Sequence, residues 1–327
     1  MGNDLYVGGL FTATADGQVQ NLNGIAKLSG GNWTALPHTG LNGGSTWQAL
    51  ANHGLNTEVR SLAFNNGDLY VGGFFNQTAD GTVPDLNLIA KYSTDTWHAL
   101  PNKGLNVGFG LHAFWVNTFA FSGNDLYDGG SFNRTGDGTQ QNLYDMAKLS
   151  GGVWSTPNNG LIYSLNSGLQ GVVHSLLFSG GDLYATGVFT ETGDGQVKNL
   201  NSIARLTGGI WSALPHNGLK QLNVSGGDAL TGRGSELYVG GFFTETADGQ
   251  VQNLNNIAKY SGGAWAPLPN NGLNGAVGVL AFKGNDLYAG GYFTGTADGL
   301  VHGLNNIAVL SLPAVPNFPI FLPVVRR

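Results

Sequence analysis

The chain has 327 residues, of which 54 are glycine, 41% are hydrophobic, 10% are charged and none is cysteine. This composition is typical of a turn-rich, folded β protein, and the lack of cysteine excludes disulfides, thiolate metal sites and thiol nucleophiles. The formal net charge of -6 offers no basic surface for nucleic acid, and no apolar run approaches the roughly 20 residues that span a bilayer.

Two short motifs recur in the same order along the chain. Asp-Leu-Tyr, which is Glu-Leu-Tyr in one copy, begins at residues 4, 68, 125, 182, 236 and 286. Ile-Ala-Lys or a close variant begins at residues 25, 89, 146, 203, 257 and 307, with the same spacings. Two motifs that share one set of spacings indicate six copies of one structural unit.

Each unit contains four strand-like segments, which we name A to D. In the clearest copy, residues 277–282 have the pattern of strand A, 286–293 of strand B and 306–310 of strand C, while 265–269 form strand D of the preceding copy. Proline is tolerated in strand D because this strand lies at the outer edge. The pattern predicts an all-β fold over residues 1–311, a six-bladed β-propeller of four-stranded antiparallel blades, with seven blades as the less favoured count.

Two further features repeat within the units. A glycine pair ends strand B in five copies, at Gly8-Gly9, Gly72-Gly73, Gly129-Gly130, Gly240-Gly241 and Gly290-Gly291. A tryptophan marks strand D at Trp33, Trp97, Trp154, Trp211 and Trp265. A strand ending in Gly-Gly, followed by an aromatic or aliphatic strand and a tryptophan, resembles the kelch-type propeller family. That resemblance implies a blade fold, and it leaves the function open because propellers serve many functions.

The longer connections run from B to C and from D to A, and in an up-and-down blade both emerge on one face. Binding residues concentrate on loops that a rigid scaffold holds, so this long-loop face is the expected interaction surface. Each B-to-C loop carries an Asp-Gly pair, at Asp16, Asp80, Asp137, Asp194, Asp248 and Asp298. These carboxylates are either calcium ligands or, as we favour, caps of local turns.

The other repeated side chains also have structural interpretations. Strand C carries Lys27, Lys91, Lys148, Arg205 and Lys259, which we expect to pair with the acids of strand B. The strand tyrosines and tryptophans either stack on sugar rings or, as we favour, pack one blade against the next. The seven histidines show no metal-binding spacing, and no motif of a nucleophile, a P-loop or an isolated carboxylate pair stands out. The sequence therefore predicts no enzyme and no cofactor.

Residues 312–327 differ from the repeats and contain four prolines. We expect this tail to supply a closing strand or a strand that docks on a neighbouring subunit. The apolar side chains of that contact are Phe318, Ile320, Phe321, Leu322, Val324 and Val325. The tail also resembles the C-terminal tails of some bacterial secreted proteins.

We therefore predict a non-catalytic structural or interaction propeller, self-assembling and extracellular or at a bacterial cell surface, although residues 1–4 show no export signal. The expected partner is protein, including a second copy of the chain, with no nucleic acid and no membrane span. A carbohydrate-binding lectin that uses the long-loop face is the alternative. A propeller hydrolase or lyase is the third interpretation, and it requires a carboxylate or histidine cluster at one end of the channel.

Overall fold

The computed structural model of the chain describes residues 5–14, 16, 19–29, 32–35, 41–42, 58–107, 115–164, 171–220 and 227–314. Within these ranges the regular structure is β-strand, apart from four short 3₁₀ turns at Pro101–Lys103, Pro157–Asn159, Pro215–Asn217 and Pro269–Asn271. The predicted contact residues of the tail, 318 to 325, lie outside the described residues.

In the described residues the longer strands form six antiparallel sheets in chain order, one from each repeat. Sheet 1 contains β1 (Leu5–Gly8), β2 (Ile25–Ser29) and β3 (Asn32–Ala35). Sheet 2 contains β5 (Glu58–Asn65), β6 (Asp68–Phe74), β8 (Ile89–Ser93) and β9 (Thr96–Ala99). Sheet 3 contains β11 (Trp115–Ser122), β12 (Asp125–Ser131), β14 (Met146–Ser150) and β15 (Val153–Ser155).

The remaining sheets follow the same plan. Sheet 4 contains β16 (Val172–Ser179), β17 (Asp182–Val188), β18 (Ile203–Thr207) and β19 (Ile210–Ala213). Sheet 5 contains β20 (Gly227–Arg233), β21 (Glu236–Gly241), β22 (Ile257–Ser261) and β23 (Ala264–Pro267). Sheet 6 contains β24 (Val277–Lys283), β25 (Asp286–Gly291) and β26 (Ile307–Ser311). Two-residue strands β4 (Leu41–Asn42) and β7 (Gln77–Thr78) pair with each other, as do β10 (Leu105–Asn106) and β13 (Arg134–Thr135).

The all-β propeller architecture with antiparallel four-stranded blades is confirmed, but the predicted count of six blades, or seven, is wrong. Five blades have an inner strand A, which is β5, β11, β16, β20 or β24. Sheet 1 begins at strand B, so in the described residues it is a three-stranded sheet without an inner strand. The motifs used for counting lie on strands B and C, which is why they counted this sheet as a blade.

Successive sheets pack face to face and enclose five apolar cores between them. The front face of each sheet from 1 to 5, which carries the isoleucine or methionine at the start of strand C, packs on the following sheet. The back face of sheets 2 to 5 carries leucine, phenylalanine and the strand-D tryptophan, and it packs on the preceding sheet, as does the back face of sheet 6. This arrangement buries Ile203 on the front of sheet 4 and Leu237 on the back of sheet 5 in the same core.

The glycine pairs allow the inner strand of the next sheet to come close. A Cβ on Gly129 would lie 2.4 Å from Cγ1 of Val173 on the next inner strand, and one on Gly130 would lie 2.1 Å from the carbonyl oxygen of Trp115. Both separations are shorter than real carbon contacts. Close packing and a bulge therefore both require glycine here, as the sequence predicts.

Four tryptophans of strand D, Trp97, Trp154, Trp211 and Trp265, are buried in these cores, as predicted from their fixed position. In three of them the indole Nε1 donates a hydrogen bond to a proline carbonyl in the 3₁₀ turn of the preceding sheet. The donor and acceptor pairs are Trp154 and Pro101 at 2.8 Å, Trp211 and Pro157 at 2.9 Å, and Trp265 and Pro215 at 3.0 Å. Each such tryptophan fastens the outer edge of one blade to the next.

Candidate functional site

The six aspartates predicted as calcium candidates each accept hydrogen bonds within their own loop. One carboxylate oxygen accepts the hydroxyl of the threonine two residues earlier, in Asp16, Asp80, Asp137, Asp194, Asp248 and Asp298. In most of them the same oxygen also accepts a backbone N–H two residues later, as Asp194 does from Gln196 at 3.1 Å. This geometry is that of an Asx turn.

The second carboxylate oxygen of four of these aspartates reaches the 3₁₀ turn of the preceding sheet. The partners are Asn102 for Asp137, Asn159 for Asp194, His216 for Asp248 and Asn270 for Asp298, at 2.7 to 3.1 Å. The backbone N–H of Gln250 and the nearby His216 lower the pKa of Asp248, and similar donors lower the pKa of Asp137, Asp194 and Asp298. In the described residues no three histidine or carboxylate side chains lie close enough together to hold a metal ion.

Four of the five strand-C cations pair with the strand-B acids, as predicted, and the fifth pair lies partly outside the described residues, since Lys27 would face residue 4. The pairs are Lys91 with Asp68 at 3.0 Å, Lys148 with Asp125 at 2.7 Å, Arg205 with Asp182 at 3.9 Å and Lys259 with Glu236 at 3.1 Å. The hydrogen bond from Lys148 lowers the pKa of Asp125. These groups are partly exposed, so each pair adds little stability.

A polar row that sequence reasoning missed lies on the inner strands. Each inner strand has a β-bulge at the same point, opposite the glycine pair of strand B in four sheets and opposite Thr186-Gly187 in sheet 4. The unpaired residues at the bulges form the bulge row, which consists of Arg60, Asn117, His174, Asp228 and Gly278. Because the bulge follows the D-to-A connection, the row lies at the long-loop end of the inner strands. Bulges are common next to functional sites, where they redirect a side chain.

Hydrogen bonds hold one end of the bulge row in place. The guanidinium of Arg60 lies 3.8 Å from the centre of the Trp115 ring, and its Nε donates to Glu58 at 2.7 Å. Its Nη1 lies 3.5 Å from Oδ1 of Asn117, whose amide donates to the carbonyl of Val173 at 3.0 Å. The arginine is thus fixed by an aromatic face, a carboxylate and an amide before any ligand arrives.

The other end of the row is a histidine and an aspartate from neighbouring blades. Nδ1 of His174 lies 2.8 Å from Oδ1 of Asp228, which is an ion-pair distance, although the two atoms are not aligned for a hydrogen bond. Together the row presents a cation, an amide, an imidazole and a carboxylate beside one tryptophan. That set suits a ligand with several hydroxyl or carboxylate groups.

The signal for this row exists in the sequence, at one position of strand A. The residue just before each bulge is valine in four inner strands and glycine in the fifth, at Val59, Val116, Val173, Gly227 and Val277. The bulge residue itself differs from strand to strand, being arginine, asparagine, histidine, aspartate and glycine in chain order. Variation of polar type at one point of a uniform repeat indicates a position that the fold does not determine.

The front face of sheet 6 is exposed to solvent. Ile307 on that face is 65% exposed, whereas the five equivalent residues on sheets 1 to 5 are at most 4% exposed. Tyr288, Tyr292 and Val309 are further large side chains exposed on sheet 6. In the described part of the chain, the surface that every other sheet buries is therefore left open here.

Comparison with known proteins finds limited similarity. No family model matches the chain. The chain is 43% identical over 116 residues to polarized growth protein L1 of Phoma sp., a match that covers 35% of this chain and spans only 8% of that protein's length. In the described residues no helix is long and apolar enough to cross a membrane.

Solved structures with a similar fold have low sequence identity. The extracellular domain of the putative one-component system BT4673 from B. thetaiotaomicron is 14% identical with a TM-score of 0.48, over 94% of this chain and 36% of that chain. The GH74 enzyme of Niastella koreensis is 18% identical with a TM-score of 0.47, over 87% and 40%. YjhT is 17% identical with a TM-score of 0.41, over 88% and 90%.

Proposed function

We propose that the protein is a non-catalytic structural or interaction propeller outside the cell, whose copies join end to end through the front face of sheet 6. The single observation that carries this proposal is the 65% exposure of Ile307, at a position that is buried in every other sheet. Exposed apolar patches of this kind usually mark a protein contact.

The front face of sheet 6 is made of the same residue types as the front faces that are buried. Tyr288 corresponds to Tyr238, and Ile307 corresponds to Ile257, both of which lie in the core between sheets 5 and 6. Each buried front face is covered by the back face of the following sheet, which is built from the same type of repeat. A further back face is therefore the best chemical match for the open surface.

Among the described side chains, Phe11 marks the back face of sheet 1 as the least covered surface of that type. Phe11 on this face is only half buried, whereas the equivalent Phe75, Phe132, Phe189, Phe243 and Phe293 are buried. We assign the occupant of the front face of sheet 6 to sheet 1 of a second copy. Such a contact joins two different surfaces, so it builds a ring or a filament rather than a two-fold dimer.

The test is the assembly state of the purified protein, measured by light scattering and negative-stain electron microscopy. We expect the wild-type chain to form multimers and Ile307→Asp to form monomers, because a carboxylate in an apolar contact lacks a partner. Ile210→Asp is the matched control, since Ile210 is 64% exposed on the outer edge of sheet 4. A wild-type monomer at all concentrations, or equal effects of the two substitutions, would contradict the proposal.

Placement outside the cell is supported by the resemblance of residues 312–327 to the C-terminal tails of some bacterial secreted proteins. It is tested by fractionating a bacterium that produces the full-length protein. We expect the protein at the surface or in the medium. Recovery in the cytoplasm would overturn this part of the proposal.

Carbohydrate binding is the second candidate, and the bulge row is the observation that favours it. Planar polar side chains beside an aromatic ring are the groups that bind sugar hydroxyls and ring faces. A glycan array tests it, with Trp115→Ala expected to remove the signal and Ile210→Asp expected to keep it. In a hydrolase, His174 and Asp228 would be the reacting pair. We propose a binding protein instead, so we expect no turnover of the bound glycans.

A further inference from the structure

A cavity lies between sheets 5 and 6, at the place where each complete blade from sheet 3 to sheet 5 holds a tryptophan. Its volume is about 160 Å³, and its lining is mainly apolar. Cavities of about this size that are lined by leucine and isoleucine can take up an aromatic ring.

The lining repeats the surroundings of Trp211 position by position. Trp211 belongs to a core whose own-sheet members include Leu183, Leu200, Ala204 and Leu206, and whose preceding-sheet members include Met146 and Leu161. The cavity is lined by the residues at the same repeat positions, Leu287, Leu304, Ala308, Leu310, Ile257 and Leu273. The cavity is thus a tryptophan slot without its tryptophan.

The hydrogen-bond acceptor of the slot is also present. Trp211 donates to the carbonyl of Pro157, and Pro269 is the equivalent proline before sheet 6 and lines the cavity. In the described residues β26 pairs with β25 alone, so its outer side is a free strand edge. The slot and the edge lie side by side, as they do wherever a strand D is in place.

Residues 312–314, which follow β26, do not turn back along that edge. The N–H of Leu312 donates to the carbonyl of Asn285 at 3.0 Å, and the carbonyl of Pro313 accepts from Arg233 at 3.0 Å. Asn285 and Arg233 belong to the A-to-B ends of sheets 6 and 5, on the inner side of the blades. Up to residue 314 the chain therefore runs toward the inner strands and leaves the outer edge free.

We infer that this slot binds an extended segment of another protein that carries Trp-x-x-Leu-Pro, added as a fourth strand to sheet 6. The segment would place its tryptophan opposite Leu310, as Trp211 lies opposite Leu206, with its Nε1 donating to the carbonyl of Pro269. Strand addition supplies backbone hydrogen bonds and the slot supplies specificity. Trp97, Trp154, Trp211 and Trp265 are buried in their own blades, so a folded second copy does not offer these four segments to the slot.

The slot faces sheet 5 and is separate from the exposed front face of sheet 6, so this inference stands independently of the assembly proposed above. The probe is a fluorescent peptide with the sequence of residues 261–272, which includes a strand D, added to the full-length protein. Fluorescence anisotropy should show saturable binding. Replacing the peptide tryptophan by alanine should weaken binding at least about 100-fold, because it removes the buried indole.

Two protein variants separate the two proposals. Ala308→Phe fills the slot and should abolish peptide binding while leaving the assembly state unchanged. Ile307→Asp should abolish assembly while leaving peptide binding unchanged. Equal binding of the tryptophan and alanine peptides to the wild-type protein, or no binding of either, would overturn the inference, and neither result depends on whether Ala308→Phe folds.

The tail of the same chain, residues 312–327, is the other candidate occupant of the slot, and a further variant tests it. In the full-length double variant Phe318→Ser, Phe321→Ser, we expect the same peptide affinity as in the wild-type protein. A gain of about tenfold or more would show that the tail competes for the slot, and it would overturn the assignment to another protein.

Discussion

Asp128 is a carboxyl group in an apolar core between sheets 2 and 3. It is fully buried, and neither of its oxygens has a hydrogen-bond partner. Burial raises its pKa well above the ordinary value, because the core does not solvate the charged form. The equivalent positions of the neighbouring repeats carry Val71 and Ala185.

We expect Asp128→Val to stabilise the protein at pH 7. Below about pH 4 the carboxyl is protonated in both the folded and the unfolded chain. As the pH rises above that value, only the unfolded state ionises, so the wild-type protein loses about 1.4 kcal/mol per unit of raised pKa. Urea unfolding at pH 4 and pH 7 should show a gain that is larger at pH 7.

Asp128→Asn is the matched control for this prediction. It removes the titrating proton but keeps a buried polar group, so its difference from the wild-type protein should also grow with pH while its stability stays below that of Asp128→Val. A valine variant whose gain does not change with pH would show that the carboxyl is not the cause.

The aspartates of the B-to-C loops accept hydrogen bonds within their own turn, and four of them also accept one from the preceding sheet. In Asp194 the donors are Thr192, Gln196 and Asn159, which lower its pKa and occupy its oxygens. We therefore expect excess calcium and a chelator to leave the melting temperature unchanged. A rise in melting temperature with calcium that Asp194→Ala reduces would support the calcium alternative instead.

At the scale of single elements, the tryptophan of strand D is the clearest contributor to the contact between sheets. We expect Trp265→Ala to lower the free energy of unfolding by about 3–5 kcal/mol, because removal of the buried indole creates an apolar cavity and leaves the carbonyl of Pro215 without its donor. Added indole should restore part of the loss by filling that cavity. Urea unfolding with and without indole measures both effects.

Trp115→Ala is the control for this experiment, because Trp115 is only half buried and lies beside Arg60 on the inner strands. It should cost less stability, and indole should not restore it. If both variants lose the same amount, strand-D tryptophans have no special part in joining the blades.

Elements with local signals could be predicted from the sequence, and those that depend on contacts between repeats could not. Strand D was recognised from its tryptophan and prolines, and the pair Lys91 and Asp68 from their fixed positions. The bulge row was missed because its residues differ between repeats, and neighbours such as His174 and Asp228 meet only when two blades pack. The contact residues of the tail remain a prediction.

At the scale of the whole molecule, the sheets form a linear series in which each contacts its neighbours. Sheets 2 to 5 each pack on both faces, whereas sheet 6 packs on its back face alone in the described part of the chain. In such repeat structures stability is approximately a sum of unit and neighbour terms. Sheet 6, with one covered face, should therefore open more easily than sheets 2 to 5.

Native-state hydrogen exchange tests this consequence. In a dilute monomer we expect the amides of β25 and β26 to exchange through local opening, well below the free energy of global unfolding, and those of β12 and β17 to approach the global value. When copies join through the front face of sheet 6, Ile307 and its neighbours become buried, and the amides of β25 should become as protected as those of β21. Uniform protection of all sheets in the monomer would mean that the front face of sheet 6 is already covered within one chain, and that the propeller closes without a second copy.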